Sequence, residues 1–203
     1  AAITPVGWTD VIIHDPGGST IVRDSVNNGF QFCHFVGHGN ETGIYDGSAY
    51  YSIAYANSQT NGDKVNLMNS IACHSGNFEF SDCVAEAAHN KSGGASIAVI
   101  FNSRFGWGQP PNLGPSEKLD MRFYDYFFNH DTMPIGITNA LSKEVYRNVA
   151  LSSSVWRWCY YELNLLGDPL LLMYENVPGQ LAAGFANPIG TGNQNFTVTV
   201  TAS

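Results

Sequence analysis

The sequence predicts an α/β domain built on a mainly parallel sheet flanked by helices, followed by the beginning of a β-sandwich. Three observations carry that reading. Short apolar runs alternate with segments of helical period, the pattern of β-α units. Two of the runs end directly in a histidine and a cysteine, where chemistry gathers beyond the carboxyl ends of parallel strands. After about Asn176 the helical period stops, and NFTVTVT alternates like a half-exposed strand. The domain division is therefore 1–175 and 176–203.

The elements follow in chain order. DVIIH, 10–14, reads as a short buried strand. DPGGST turns into a helix over about Thr20 to Asn28, ended by Gly29 at a C-cap position. FQFCHFV, 30–36, is a strand buried on both faces. Residues 39–65, rich in Gly, Asn, Ser and Tyr, read as loop with one short helix. LMNSIAC, 67–73, is the next strand, and Ser81 or Asp82 caps a helix over about Cys83 to Asn90. ASIAVIF, 95–101, is a third parallel-type strand. FGWGQPPNLGP is loop, Ser116 caps a helix through about Phe128, and a further helix runs from Pro134 to about Ala150. LLLMY, 170–174, is the last strand of the sheet, after the LGDP turn. The alternating segment at the end is too short to close a sandwich.

The totals bound the function. The chain has 203 residues, 44% of them apolar, enough for a substantial core. A net charge of −8 with no basic run argues against nucleic acid. No apolar run approaches the roughly 20 residues of a membrane span. Low charge with abundant Gly, Asn, Ser and Tyr points to a secreted or cell-surface protein. The start, AAITPVGW, lacks the features of a signal peptide, so the signal of an exported protein would already be removed or lie outside this sequence. The four cysteines, Cys33, Cys73, Cys83 and Cys159, form no CxxC pair; two disulfides or free thiols both fit.

The chemistry centres on HFVGHGN, 34–40, and SIACHSGNF, 70–78. His38 stands between two glycines straight after an apolar strand, and Cys73 ends another. A thiolate is a nucleophile, and an imidazole beside it can take its proton. Gly37 and Gly39 leave room for a substrate backbone. The backbone N–H groups of Gly39 and Cys73 can hold an oxyanion. A zinc site is the competing reading, from Cys33, His34, His38, Cys73 and His74. Its geometry is poor: His34 and His38 lie roughly 13 Å apart along a strand of about 3.3 Å per residue. Adjacent Cys73 and His74 diverge.

Several blocks together resemble the gingipain family of cysteine peptidases. They are GHG-x-ET at 37–42, AC-x-x-GNF at 72–78, C-x-AEA at 83–87, an aromatic loop ending in Trp107, and a GDP turn at 167–169. The resemblance implies a caspase-like fold over about 14–175, followed by an immunoglobulin-like domain. It implies a cysteine endopeptidase acting on proteins or peptides, with His38 and Cys73 as its dyad. Gly106 and Trp107 then belong to the substrate-binding loop. It implies no cofactor for catalysis and no catalytic metal, with structural calcium in some members. A transpeptidase relative and an inactive binding module are the alternatives.

The chain departs from the family twice. Lysine-specific members carry an acid shortly after the tryptophan, whereas here Trp107-Gly108-Gln109-Pro110 has no carboxylate. The acid of arginine-specific members lies well before the GHG block, at a position this chain begins too late to include. Family members also have further strands upstream. The expectation is therefore an N-terminal segment or second chain that completes the catalytic domain.

Overall fold

The computed structural model describes residues 7–9, 11–13, 20–46, 48–130, 134–173, 181–185, 192–193 and 195–202. They fall into two compact units, residues 1–173 and 174–203.

The first unit is organised by a four-stranded sheet. Strands β1 (Phe32–Phe35), β5 (Asn66–Ser70) and β6 (Ser96–Asn102) run parallel, and β7 (Leu163–Leu166) closes the far edge antiparallel to β6, in the order β1-β5-β6-β7. Both faces are buried, as near-continuous apolar strands require. Met68, Val99 and Phe101 point into one core, with Val22 and Val26 of α1 (Ile21–Asn28), Ala56 of α2 (Ile53–Asn57) and the apolar side of α3 (Val84–Asn90). Leu67, Ala98 and Ile100 point into the other. There they meet Leu119, Phe123 and Phe127 of α4 (Pro115–Asn129), Ile135 of α5 (Ile135–Glu144) and Cys159 of α7 (Ser154–Glu162).

The register decides where the site lies. Phe32 pairs with Leu67 and Phe35 with Ser70, so β1 and β5 end level with each other. His38 and Cys73 each come three residues after those level ends.

Several elements differ from expectation, each for an identifiable reason. Val11 and Ile12 are exposed and outside any strand, while Ile13 packs on the first core; Asp10 and His14 of the expected strand lie outside the described residues. The segment expected as loop forms an antiparallel sheet of β2 (His38–Asn40), β3 (Gly43–Asp46) and β4 (Ser48–Ser52). Its polar composition hides buried Ile44, Tyr50 and Tyr51, which fill the first core.

Helix α3 is capped by Cys83 rather than Ser81 or Asp82, because Glu86, three residues on, accepts from the Cys83 N–H at 3.1 Å. In α4, Glu117 accepts from Gly114 N–H at 2.6 Å, and Pro115 is the first helical residue. The helix expected from Pro134 to Ala150 breaks after Glu144, and α6 (Arg147–Ser152) continues separately. Helix α7 follows it, with Ser153 Oγ accepting from Trp156 N at 3.5 Å. The last strand of the sheet precedes the LGDP turn instead of following it. Leu171 O and Pro169 O are occupied by the Ile135 and Gly136 N–H groups at 2.9 and 3.0 Å. They cap α5 and are unavailable to a ladder.

In the second unit β8 (Leu181–Phe185) pairs antiparallel with β9 (Val198–Ala202). This is one hairpin pair; the described residues there show no second sheet.

Candidate active site

The two strand ends meet through a glycine. A Cβ built on Gly39 would stand 2.7 Å from Cys73 O and 2.8 Å from Ala72 Cβ, so only glycine lets β2 approach the turn after β5 this closely. His38, one residue before, is exposed and pairs with Tyr45 across β2 and β3. Behind it, Tyr50 Oη donates to Val36 O at 2.9 Å. A Cβ on Gly37 would collide with that Tyr50 oxygen at 2.8 Å and with Tyr45 O at 2.9 Å.

Cys73 begins a tight turn fixed from several directions. Ser70 Oγ accepts from Ala72 N at 3.2 Å, and Ser75 Oγ donates to Ala72 O at 2.9 Å, both buried. His74 adopts φ 57°, a left-handed conformation uncommon for a residue with a side chain. Its N–H donates to Arg104 O at 2.9 Å, and Gly76 N–H donates to Asn102 O at 2.8 Å. The turn is thereby tied to the loop after β6. Within that loop, Gly106 O lies 4.0 Å from Cys73 Sγ. A Cβ on Gly106 would meet Ile71 O at 2.5 Å.

A polar clamp joins the two loops. Asn77 Nδ2 donates to Glu41 Oε1 at 3.0 Å, and His74 Nδ1 stands 3.4 Å from the same oxygen without hydrogen-bond alignment. Arg104 donates to Asn77 Oδ1 at 3.0 Å and to Glu79 Oε2 at 2.6 Å. Glu41 O also accepts from Val84 N–H at 2.9 Å. The Glu41 carboxyl is held below the ordinary carboxylate range, first by its own backbone N–H and then by Asn77. Sequence reasoning gave Glu41 and Asn77 no role. The signal lay inside the two motif blocks, three residues after the candidate base for Glu41 and four after the candidate nucleophile for Asn77.

The other candidate residues sort themselves by environment. Burial pushes the Cys33, Cys83 and Cys159 thiols up to about 12, and all four cysteines are free. His34 Nε2 lies 2.9 Å from Asp120 Oδ2, on the α4 side of the sheet. Burial pulls its imidazole pKa down, and the nearby carboxylate outweighs that, leaving it raised. Trp107 is half-exposed, with its N–H held by Ser116 Oγ at 2.9 Å; that is why Ser116 does not cap α4. Asp168 serves the turn: Oδ1 accepts from Leu170 N at 2.9 Å. Among the described residues no three His, Cys, Asp or Glu side chains gather to hold an ion. No helix among the described residues is long and apolar enough to cross a membrane.

This arrangement has relatives. Residues 7–174 match the model of Peptidase family C25, and the chain belongs to that family. It is 24% identical to Gingipain R2 of Porphyromonas gingivalis over 97% of this chain and 27% of that protein. It is 32% identical to Gingipain R1 of Porphyromonas gingivalis over 42% of this chain and 9% of that protein. The chain thus spans about a quarter of the first of these relatives. Its fold matches the crystal structure of the Arg-specific cysteine proteinase gingipain R with a TM-score of 0.65, at 21% identity, covering 89% of this chain and 42% of that one. A complex of gingipain pro- and mature domains from Porphyromonas gingivalis gives 0.63 at 19% identity, covering 88% of this chain and 42% of that one. The mostly parallel sheet flanked by helices matches the caspase-like gingipain fold.

Proposed function

We propose that this chain carries the nucleophile and base of a cysteine endopeptidase. Cys73 Sγ attacks the scissile carbonyl and His38 receives the thiol proton. His38 then returns it to the leaving amine, and water hydrolyses the acyl-enzyme. The Gly39 and Cys73 N–H groups hold the oxyanion. The observation that supports this best is the contact of Gly39 with the Cys73 backbone, which brings the histidine-bearing strand onto the cysteine turn.

The substrates are proteins or peptides, and the protein works outside the cell or on its surface, as membership of this family suggests. A further segment beside β1 fits the same reading. Among the described residues β1 pairs only with β5, and the solved relatives have chains more than twice as long as the region matched. An unpaired strand edge favours such a partner.

Alkylation tests the nucleophile directly. Iodoacetamide near neutral pH is expected to label Cys73 first, because burial holds the other three cysteines as thiols. Label found chiefly on Cys33, Cys83 or Cys159 by mass spectrometry would sink the assignment.

A further inference from the structure

Two cavities flank the loop of residues 103–107 where it meets α7, and they share Ser154 and Trp158. The larger, about 690 Å³, carries charge: Glu79, Arg104, Arg157 and Glu162 are in its lining. The smaller, about 290 Å³, is lined by Phe105, Trp107, Ser154, Val155 and Trp158, and holds no ionisable side chain. Its size falls just below the roughly 300–1,000 Å³ of small-molecule sites, so it suits a single side chain better than a whole ligand.

The loop that supplies two of this cavity's walls also reaches the candidate nucleophile. Gly106, between its two loop aromatics, has its carbonyl 4.0 Å from Cys73 Sγ. The Phe105 ring stands edge-on to His74 with centroids 4.4 Å apart. Two polar groups of its walls are used on the protein side: Trp158 Nε1 donates to Phe105 O at 2.9 Å, and the Trp107 backbone N–H to Ser116 Oγ at 2.9 Å. Much of the open lining is ring surface. Phe105, Trp107 and Trp158 are 57%, 48% and 43% exposed around one concavity, and exposed apolar surface gathered in a cleft marks a binding site.

Resting on the peptidase reading above, we infer that this cavity is a substrate subsite for one bulky apolar side chain of the Leu, Met or Phe class. An apolar group displaces water from the three rings. A Lys or Arg placed there would give up hydration with no carboxylate among these lining residues to meet it, and ring faces at an open site return only a small part of that loss. The chain's own departure, Trp107-Gly108-Gln109-Pro110 without an acid, agrees with an uncharged pocket.

The test is positional profiling of the protein with a fluorogenic peptide library. At one substrate position Leu, Met or Phe is expected to exceed Lys by about tenfold or more, the discrimination one buried apolar side chain supplies. Val155→Asp is expected to erase most of that preference while iodoacetamide still labels Cys73. Ser154→Glu, at the exposed first position of α7 where an acid suits the helix end, is expected to raise Lys use about tenfold, and keeps the test valid if Val155→Asp does not fold. Labelled Cys73 with an unchanged or Lys-led profile in both variants overturns the subsite and leaves the peptidase reading standing. Absent labelling and cleavage overturn the peptidase reading. The subsite is then read without turnover, by tryptophan quenching of Cys73→Ala with a dansylated Leu- or Phe-containing peptide against its Lys counterpart. Equal quenching by the two peptides overturns the subsite.

Discussion

The chain leaves β1 and β5 at the same level of the sheet, yet it builds the two exits differently. After β1 it forms an exposed three-residue strand, His38–Asn40, whose bracing comes from its partners in a small antiparallel sheet. After β5 it forms a turn pinned by buried serines, by the loop after β6 and by a residue at positive φ. A left-handed residue with a side chain costs on the order of 1–3 kcal/mol and persists only where its surroundings hold it. The Cys73 side is thus positioned by packing and backbone bonds. The histidine side is positioned by a glycine contact and a polar clamp. The difference teaches that the histidine side is where alignment can be lost without unfolding the protein.

The largest effects should separate chemistry from scaffold. Cys73→Ala and His38→Ala should each lower kcat/KM by about 10⁴-fold or more. His38→Ala should leave stability within about 0.5 kcal/mol, since the side chain is exposed. Turnover kept by either variant would break the proposed pairing of the two exits.

Gly39→Ala should come next. The new methyl would stand 2.7 Å from Cys73 O, so β2 must retreat from the turn. A displacement of that kind costs about 10²-fold in rate. A crystal structure showing β2 unmoved beside a fully active enzyme would remove glycine contact as the aligning device.

The clamp should matter less, and its pH dependence has a definite sign. Glu41→Ala should lower kcat about tenfold by freeing Asn77 and His74 from their shared carboxylate; Glu41→Gln, which can still accept from Asn77, should lose less. The Glu41 carboxyl is lowered, so its contribution is fully present above the ordinary glutamate range. It is lost as pH falls through the lowered value. A kcat/KM profile of Glu41→Gln should therefore lack an acid limb that the wild type shows below the ordinary glutamate range. Identical acid limbs would show that the clamp does not couple the exits.

The smallest effect on activity belongs to the pair under α4. Asp120→Asn should cost about 1–2 kcal/mol, less than the roughly 3–5 of a wholly buried pair, because His34 still reaches water. The His34 pKa is raised, so the stabilisation is full below the ordinary histidine value and is lost as pH rises through the raised one. Thermal melts of wild type and Asp120→Asn should converge in alkali, with cleavage rates little changed at any pH. A large loss of rate would move His34 and Asp120 into the site.

Local patterns were legible wherever one short rule governs. Gly29 ends α1 at φ 89°, as a C-cap glycine should. The three parallel strands sit where the apolar runs do. Two motif blocks mark the loops that meet at Gly39 and Cys73. The β2–β4 sheet was not legible, because its strands are three to five residues long and their burial is set by a partner surface. β7 was missed for a related reason: LNLL and LLLMY are equally apolar, and only the demand of α5 for carbonyl partners removes the second from the sheet.

By itself, then, the sequence determined the fold class, the order of the parallel strands along the chain and the two residues at their ends. These depend on periodicity and on residue type, which are local properties. Only the tertiary structure decided that β1 and β5 end level, that Gly39 rests on the Cys73 backbone, and that Glu41 and Asn77 clamp the loops across 36 residues of chain. It alone brought Val155 and Trp158 of an unforeseen helix against Phe105 and Trp107. Each of these is a contact between distant segments, fixed by strand register and close packing, which no local pattern encodes.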